Sequence, residues 1–439
     1  MTMTVALITL GCPKNIVEGE HMAGILREQG LILTTDLAHA DCAVVHTCSF
    51  IGDARDESVR MIRSLVKLKK TGHLKKVIVT GCYVQDEGKK IAEMFPGVDG
   101  FMGTGMLSSL GSFVTDGGGF CSGSAGGLLA PSTPRLLSST LPSAYLRIAE
   151  GCNHRCSFCS IPRLRGRYVS RSLTDIVNEA RHLADAGIRE LVLVAQDITA
   201  YGRDRSGHLM LPQLLKKIAR INDIAWIRLL YAYPSTVTDE LIDSIKDEEK
   251  MCRYLDVPLQ HASRDVLRRM KRPQQVRPLL ERLKKHVPDI AVRTTFIVGF
   301  PGETNEDFNQ LRTLVSEGWF EHLGAFAYSD HPRTMSARFL DKVPESIALK
   351  RQKELMRVQK KIVHQHNAAR IGSFEEILVE RQIQKRYNTK SSLIVGRARF
   401  QAPEIDSTVI VAGVVTPGTF VRVKITGFNG YDLIGTLVP

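Results

Sequence analysis

No apolar run in this chain approaches the roughly 20 residues that a bilayer-spanning helix needs, so a membrane-spanning helical protein is excluded. Met1-Thr2-Met3-Thr4-Val5-Ala6-Leu7-Ile8-Thr9-Leu10 has no basic start and runs directly into Gly11-Cys12, so no secretory signal peptide is expected. There is no disulfide framework: nine cysteines in 439 residues read as reduced thiols or metal ligands, and the cytoplasm is the expected compartment. Gly103 and Gly105 lack the rest of any phosphate-binding fingerprint. Acidic residues are short, 46 against 59 basic, for a formal charge of +13. That excess points to a polyanionic partner such as RNA or a ribosome, with solubility as the plainer reading. With 43% hydrophobic and 24% charged residues the chain is of the soluble globular class. Its length suggests two to four domains.

What the chain does hold is a cysteine loop, Gly151-Cys152-Asn153-His154-Arg155-Cys156-Ser157-Phe158-Cys159, behind an apolar run at Ala144–Ala149. So tight a C-x3-C-x2-C spacing can turn three thiolates onto one metal centre. Soft sulfur ligands select iron–sulfur, zinc or copper(I) over hard cations. The count is informative. Structural zinc is usually closed by four protein ligands, whereas three thiolates leave one metal position open. His154, two residues from both Cys152 and Cys156, is cramped as a fourth ligand. A zinc knuckle or a chance cluster remains the competing reading of this loop alone.

Three earlier cysteines share one setting. Val5–Leu10 is β-like and ends at Gly11-Cys12, Ala43–Thr47 ends at Cys48, and Val77–Thr80 ends at Gly81-Cys82. Helical stretches follow at Ile16 to Gln29, Asp53 to Lys70 and Asp86 to Met94, which predicts a doubly wound parallel sheet. Ligands of such sheets bind beyond the carboxyl ends of the strands. All three cysteines fall there, so separations of 36 and 34 residues still bring them together. Buried core thiols are the alternative. Three at equivalent places, two preceded by glycine, argue instead for a second three-cysteine cluster with one iron open. Cys42, Cys121 and Cys252 lack such a context and receive no role.

Between 103 and 143 the composition turns to Gly117-Gly118-Gly119, Gly123-Ser124-Ala125-Gly126-Gly127 and Pro131-Ser132-Thr133-Pro134, a linker chemistry. Six β-type runs then recur at Ala144–Ala149, Leu191–Ala195, Ile224–Tyr231, Tyr254–Leu259, Ala291–Phe300 and His322–Ser329, separated by helical stretches. Six β/α units are two short of a full barrel. They predict an incomplete (β/α)6 barrel, open on one side, with the cysteine loop topping its first strand. Candidates at the carboxyl ends of these strands are Gln196, Asp197, Tyr231, Tyr233, Gln260, His261, Arg293 and the turn Gly299-Phe300-Pro301-Gly302-Glu303. Each also has a plain reading as a cap or turn residue. Pro344 to Ile371 is a long helical stretch. From Arg333 to Arg370 ten basic residues stand against three acidic ones, a solvated face or an RNA contact. Five short β-runs after Gly372 predict a small antiparallel barrel. Eight basic and six acidic residues from Ser373 to Pro439 give it a faint footprint for nucleic acid. The expected division is 1–115, a linker at 116–140, a core at 141–371 and a carboxyl-terminal domain at 372–439.

The Cys152–Cys159 loop resembles that of radical S-adenosylmethionine (SAM) enzymes, and the whole chain is similar to the methylthiotransferases among them. Thr9–Asn15, His46–Ile51 and Thr80–Cys82 look like their amino-terminal domain. Cys152–Arg171, Leu255–His261 and Arg293–Glu303 look like their radical SAM core, and the last strands resemble a TRAM domain. The resemblance implies two four-iron four-sulfur clusters. The one on Cys152, Cys156 and Cys159 would chelate SAM and cleave it to a 5′-deoxyadenosyl radical, which removes hydrogen from an unactivated carbon. The one on Cys12, Cys48 and Cys82 would present sulfur, methylated by a second SAM. Phe158 and Gly299 are implied as SAM contacts, with Gln260 beside them, and no catalytic residue beyond the cluster ligands. Gly396–Asp406 and Ile161–Arg167 resemble the RimO-type branch, which adds a methylthio group to the β-carbon of an aspartate in the twelfth small-subunit ribosomal protein. That implies a ribosomal protein partner, free or on the ribosome, an electron donor, a sulfur source and a monomeric enzyme. A tRNA adenosine methylthiotransferase and a non-catalytic iron–sulfur or RNA-binding scaffold are the alternatives. Three places depart from the family pattern: His46 for asparagine, Ser49 for a smaller residue, and Asp330-His331-Pro332-Arg333-Thr334 for a more acidic segment.

Overall fold

The computed structural model describes residues 3–49, 51–123, 125, 127–139, 141–384 and 392–438. Phe50 of the Cys48 motif, and Ser124 and Gly126 of the expected linker, fall outside the described residues. The amino-terminal sheet is wholly parallel, in the order β2-β1-β3-β4-β5-β6. Its strands are β1 Thr4–Thr9, β2 Ile32–Thr34, β3 Cys42–Thr47, β4 Lys76–Gly81, β5 Gly100–Met102 and β6 Gly119–Cys121. β3 is buried at every position, as expected of a central parallel strand covered on both faces. Its residues alternate between two cores. Ala43 and Val45 pack with Ile62 and Leu65 of helix α2 (Gly52–Lys70), whereas Cys42 and Val44 pack with Met22 and Leu26 of helix α1 (Pro13–Glu28). Cys42 is thus a core thiol.

Residues 116–140 are less of a linker than their composition predicts. Gly119–Cys121 pairs with β5 as the edge strand, so Cys121 lies in the sheet. The Arg135 side chain is 8% exposed and bonds Glu20 and Glu179, each at 2.6 Å. Glycine-rich composition hid the strand because ladder bonds between backbones, not side chains, hold a three-residue edge.

The core sheet is also parallel, in the order β14-β13-β12-β11-β10-β7, with its two edges unjoined. It comprises β7 Ser143–Arg147, β10 Glu190–Val194, β11 Trp226–Leu229, β12 Met251–Asp256, β13 Ala291–Val298 and β14 His322–Ala327. A two-residue antiparallel ribbon, β8 Ala149–Glu150 with β9 Val169–Ser170, frames the cysteine loop. This is the predicted incomplete barrel. Leu146, Leu191, Leu193 and Leu229 face the surrounding helices. Tyr145, Val192, Trp226 and Tyr254 face inward.

The inward face is covered by the carboxyl-terminal barrel, closed in the order β15-β16-β17-β19-β18. Its strands are β15 Phe374–Gln384, β16 Ser392–Ala398, β17 Val409–Ala412, β18 Phe420–Asn429 and β19 Asp432–Leu437. Four of its five seams are antiparallel as predicted, and β17 pairs with β19 in parallel to close it. Leu378, Phe400, Ala402 and Phe420 join the inner cluster of the core. The Ala402-Pro403-Glu404-Ile405-Asp406 motif belongs to this seam. Glu404 and Asp406 accept bonds from the hydroxyls of Tyr145 and Tyr254, both at 2.8 Å. Buried Glu190 is held between Arg397, which bonds it directly, and Arg228 at 2.7 Å. Burial alone would raise its pKa, but the two guanidiniums outweigh that and hold it at about 2. Among the described residues no helix is long and apolar enough to cross a membrane.

Candidate active site between two cysteine triads

Cys12 caps α1, Cys48 follows β3, and Cys82 is the first residue of helix α3 (Cys82–Glu87). Helix amino-termini favour sulfur in its anionic form. The two glycines preceding these cysteines are obligatory. Gly11 has φ +98°, and a Cβ there would lie 2.6 Å from the Cβ of Cys48. Gly81 has φ +97°, and its Cβ would lie 2.7 Å from the Thr47 carbonyl. Burial pushes the Cys82 thiol up to about 12, against the pull of Arg165 and with Cys48 and Cys12 adding to it, so the three thiols share one neighbourhood. Arg165, in the short helix Ile161–Arg165, places Nε 3.2 Å from Cys82 Sγ and donates to Asn15 Oδ1 at 2.8 Å. Asn15 in turn donates to the carbonyls of Leu10 at 2.7 Å and Thr47 at 3.2 Å, tying two cysteine-bearing strands together.

Behind this triad lies a carboxylate hub. Glu18, 6% exposed, accepts from Arg165 and, at 2.9 Å, from Arg147. Its other oxygen lies 2.9 Å from His46 Nε2, and His46 Nδ1 lies 2.8 Å from Thr80 Oγ1. Burial works against ionisation here. Arg165, His46 and Arg147 overcome it and hold the carboxyl well below the usual range. Arg147 and Arg165 come from the core, Glu18 and His46 from the amino-terminal sheet. A second junction forms where Asp86 of α3 meets Arg163, His331 at 2.8 Å and Arg333 at 3.5 Å. Two of the family departures thus fall at these two places, His46 at the Glu18 hub and His331 and Arg333 of the 330–334 segment at Asp86.

In the loop after β8, burial pushes the thiols of Cys152 and Cys159 up to about 11 and about 12. The His154 backbone N–H donates to Cys152 Sγ at 3.4 Å, but its imidazole is engaged elsewhere than at the thiols. Its Nε2 lies 2.7 Å from Asp197 Oδ2, and its ring stacks on Tyr233 at 3.5 Å and 7°. The Arg272 guanidinium lies 4.2 Å from the Tyr233 ring centre and reaches within 3.8 Å of Cys156 Sγ. Phe158 meets Phe300 edge-on at 6.5 Å, and Phe300 packs in turn on Tyr328 and Phe339. Gln260 takes φ +74° at the strand ends, and its buried Oε1 has no hydrogen-bond partner among the described residues. Gly299 faces the helix Glu345–Ala369, where a Cβ would fall 2.3 Å from that of Ala348. His261 is buried, pushed down to about 3, and neutral; Glu303 is occupied by Arg351 at 2.9 Å. Arg293 is not at a strand end. It is the third residue of β13 and bonds Asp256 and Asp406, at 3.5 and 3.3 Å.

Family models match at three places: the radical SAM superfamily over residues 146–315, an uncharacterized protein family, UPF0004, over 4–103, and a TRAM domain over 371–438. Among curated proteins, the ribosomal protein uS12 methylthiotransferase RimO of Endomicrobium trichonymphae is 44% identical, with 98% of each chain covered. That of Citrifermentans bemidjiense is 44% identical over 99% of this chain and 98% of its own. The chain belongs to the RimO family. Among solved structures, the radical SAM methyltransferase TsrM of Kitasatospora setae, with cobalamin and a [4Fe-4S] cluster bound, has 16% identity, a TM-score of 0.54 and 77% of each chain covered. That likeness shows the fold.

The donor set of this RimO-family chain fits two iron–sulfur clusters. Each triad supplies three thiols and one adjacent guanidinium, Arg165 or Arg272. Ser49 Oγ, next in sequence to Cys48, and Gln260 Oε1 are buried polar atoms without hydrogen-bond partners among the described residues. Among the described residues no three His, Cys, Asp or Glu close round a point suited to a single ion. Between the triads runs the segment after β11. Tyr231, with φ +67°, carries the Lys14 ammonium 3.4 Å from its ring centre, while Tyr233 carries His154 and Arg272. Lys14, Asn15, Glu18, Arg165 and Arg272 were not singled out from sequence. One signal was available: the first half of α1 is buried with almost no apolar stripe, Lys14, Asn15, Glu18, Glu20 and His21 included.

Proposed function

We propose that the chain is a radical SAM transferase that adds a methylthio group to the β-carbon of an aspartate in ribosomal protein uS12. The observation that carries this reading is the pair of cysteine triads joined by one short segment, Tyr231–Tyr233, in a chain of RimO-family sequence throughout. When bound, the two four-iron clusters and SAM supply the electron transfer, the sulfur and the methyl group. Cys152, Cys156 and Cys159 would hold one cluster, and Cys12, Cys48 and Cys82 the other. Buried thiols must shed their protons to bind iron. Arg165 and Arg272 offset the negative charge so created. Asp197 and Tyr233 hold His154 and thereby the loop. Phe158, backed by Phe300, offers an apolar face to the SAM adenine, and Gln260 Oε1 offers a buried acceptor. Gly299 shapes the turn beside them. Residues 1–115, 141–371 and 372–439 act as three domains of a monomer in the cytoplasm, with the electron donor and sulfur source external.

Anaerobic reconstitution tests the assignment, with about eight irons per chain expected for two such clusters. Cys156→Ala should abolish 5′-deoxyadenosine formation. Cys82→Ala should keep it but abolish methylthio transfer and lose about half the iron. Mass spectrometry of uS12 and of tRNA from a deletion strain separates the substrates. Loss of a methylthio group from tRNA, with the uS12 aspartate unchanged, would overturn the reading in favour of tRNA.

A further inference from the structure

The helix Glu345–Ala369 has two faces of opposite character. Inward, Ala348 packs beside Gly299, Arg351 bonds Glu303 at 2.9 Å, and Gln359 donates to the Phe320 carbonyl at 2.9 Å. In the last turn Asn367 donates to the Tyr431 carbonyl of the terminal barrel at 3.2 Å. The helix is thus pinned at the Gly299 turn and at the barrel. Outward, Lys350, Lys353, Arg357, Lys360 and Lys361 are all exposed. At 3.6 residues per turn they fall in one arc of about 100°, shared with Ser346, His364 and Ala368 and with no acid. Among the described residues none of the five makes an ion pair or a hydrogen bond. Glu354, on the flank of the arc, is engaged by Arg312 at 2.8 Å. Like charges three and four residues apart work against a helix. Lys353, Arg357 and Lys361 follow one another by four, and Lys350 precedes Lys353 by three. The other long helix differs. In α2 the exposed Asp56 and Glu57 stand one turn before Arg60, the compensation usual on a solvated surface.

We infer that this outer face docks on the phosphate backbone of structured RNA in the small ribosomal subunit, so that the enzyme meets uS12 in the assembled particle. This rests on the uS12 reading given above and names where that substrate is met. Charge complementarity selects the partner. From Lys350 to Lys361 the cations rise about 16 Å, at about 1.5 Å per residue, against a backbone that carries a charge at every nucleotide. A protein partner would need large apolar anchors at the centre of the contact, and the arc holds none. The terminal barrel, with eight basic and six acidic residues from Ser373 to Pro439, offers no comparable excess. Because the inner face of the same helix packs on the Gly299 turn, docking here fixes the particle relative to the site.

The test compares reconstituted full-length enzyme with a variant combining Lys350→Gln, Lys353→Gln, Arg357→Gln, Lys360→Gln and Lys361→Gln, since glutamine keeps the helix propensity of the bases it replaces. Binding to purified small subunits from a deletion strain is read by fluorescence anisotropy across a salt series. Five phosphate contacts give a slope of about −4.5 in log affinity against log salt, a loss of about 500-fold between about 50 and 200 mM. The variant's slope should be shallower by about 4, and its modification of subunits slower by about tenfold or more at about 150 mM salt. It should keep full iron, form 5′-deoxyadenosine and modify free uS12 at the wild-type rate. Lys216→Gln with Lys217→Gln, at exposed positions of the helix Leu211–Ile218, should leave subunit binding unchanged. If the combined variant fails to fold, Lys353→Gln with Arg357→Gln serves, its slope shallower by about 2. An unchanged slope and subunit rate overturn the inference, as does an equal shift in the Lys216 and Lys217 pair, or a wild type that modifies free uS12 but not the subunit. Equal loss on free uS12 would assign the face to the protein and overturn it too. A wild-type enzyme that cleaves SAM but modifies uS12 in neither form would instead sink the proposed function beneath it.

Discussion

Replacing Glu18 by glutamine tests whether the carboxylate hub, rather than the cysteines alone, assembles the amino-terminal triad against the core. Glu18 is shared by Arg165, Arg147 and His46. Removing one partner of a buried ion pair generally costs about 3–5 kcal/mol. The lower end applies here. Arg147 keeps Glu150 at 2.7 Å and Arg165 keeps Asn15 at 2.8 Å, so neither guanidinium is left wholly unpaired. A loss of about 3 kcal/mol lowers the melting temperature by about 3 °C, taking an unfolding entropy of about 2.1 cal/mol/K per residue over the 439 residues. The chemical effect should be one-sided. Arg165 is the cation at Cys82, and with Glu18 gone it is free to shift, whereas Arg272 at Cys156 lies on the other loop. The expected outcome is a protein that still forms 5′-deoxyadenosine but holds roughly half the iron. Calorimetry with iron analysis on the same samples reads both effects. An unchanged melting temperature together with full iron would refute the hub's role, as would equal loss at both triads.

Two other perturbations reach parts of the molecule away from the hub. Gly299→Ala should destabilise by about 2–4 kcal/mol, combining a positive φ with an overpacked contact against Ala348. The double variant with Ala348→Gly should recover only the contact part, measured by a denaturant double-mutant cycle. At the carboxyl-terminal seam, Glu190 is held at about 2 against an ordinary 4.5. A lowered acid gives stability that is complete above the unfolded value and is lost as pH falls from 4.5 through about 2. The size is about 3 kcal/mol at 1.36 kcal/mol per unit. The gap in denaturation midpoint between wild type and Glu190→Gln should therefore shrink across that range, followed by fluorescence of Trp226, which lies 5.0 Å from Phe420 across the seam. A gap constant with pH would contradict the assignment.

Much of this was legible in the sequence because the fold repeats itself. Strand, cysteine and helix recur in order in the amino-terminal domain, and the six β/α units of the core leave few other arrangements. The six cysteines were visible because glycine and strand end mark their places. Less visible were the charges that join the parts. Arg165 stands 147 residues from Glu18 and Arg397 stands 207 from Glu190, and no local pattern announces a pair formed only after three domains dock. The same limit misplaced Arg293, which looked like a strand-end residue and proved to be an anchor for Asp406. The Ala402–Asp406 motif, useful as a family marker, turned out to dock one domain on another.

That docking has an evolutionary consequence. Arg397 and Glu190 are sealed from solvent, with Arg228 and Glu380 completing a chain of alternating charge that crosses from one domain to the other. Salt has little access to such a chain. The terminal barrel is therefore a buttress, not an arm swinging on a tether. A chimera that exchanged this barrel for a distant relative's would inherit half of a matched set, and a graft should succeed only when Glu190 and Arg228 travel with it. Changes of target in this lineage would then be easier through the rim of the barrel, where a substitution leaves that chain of charges intact, than through wholesale exchange of the domain.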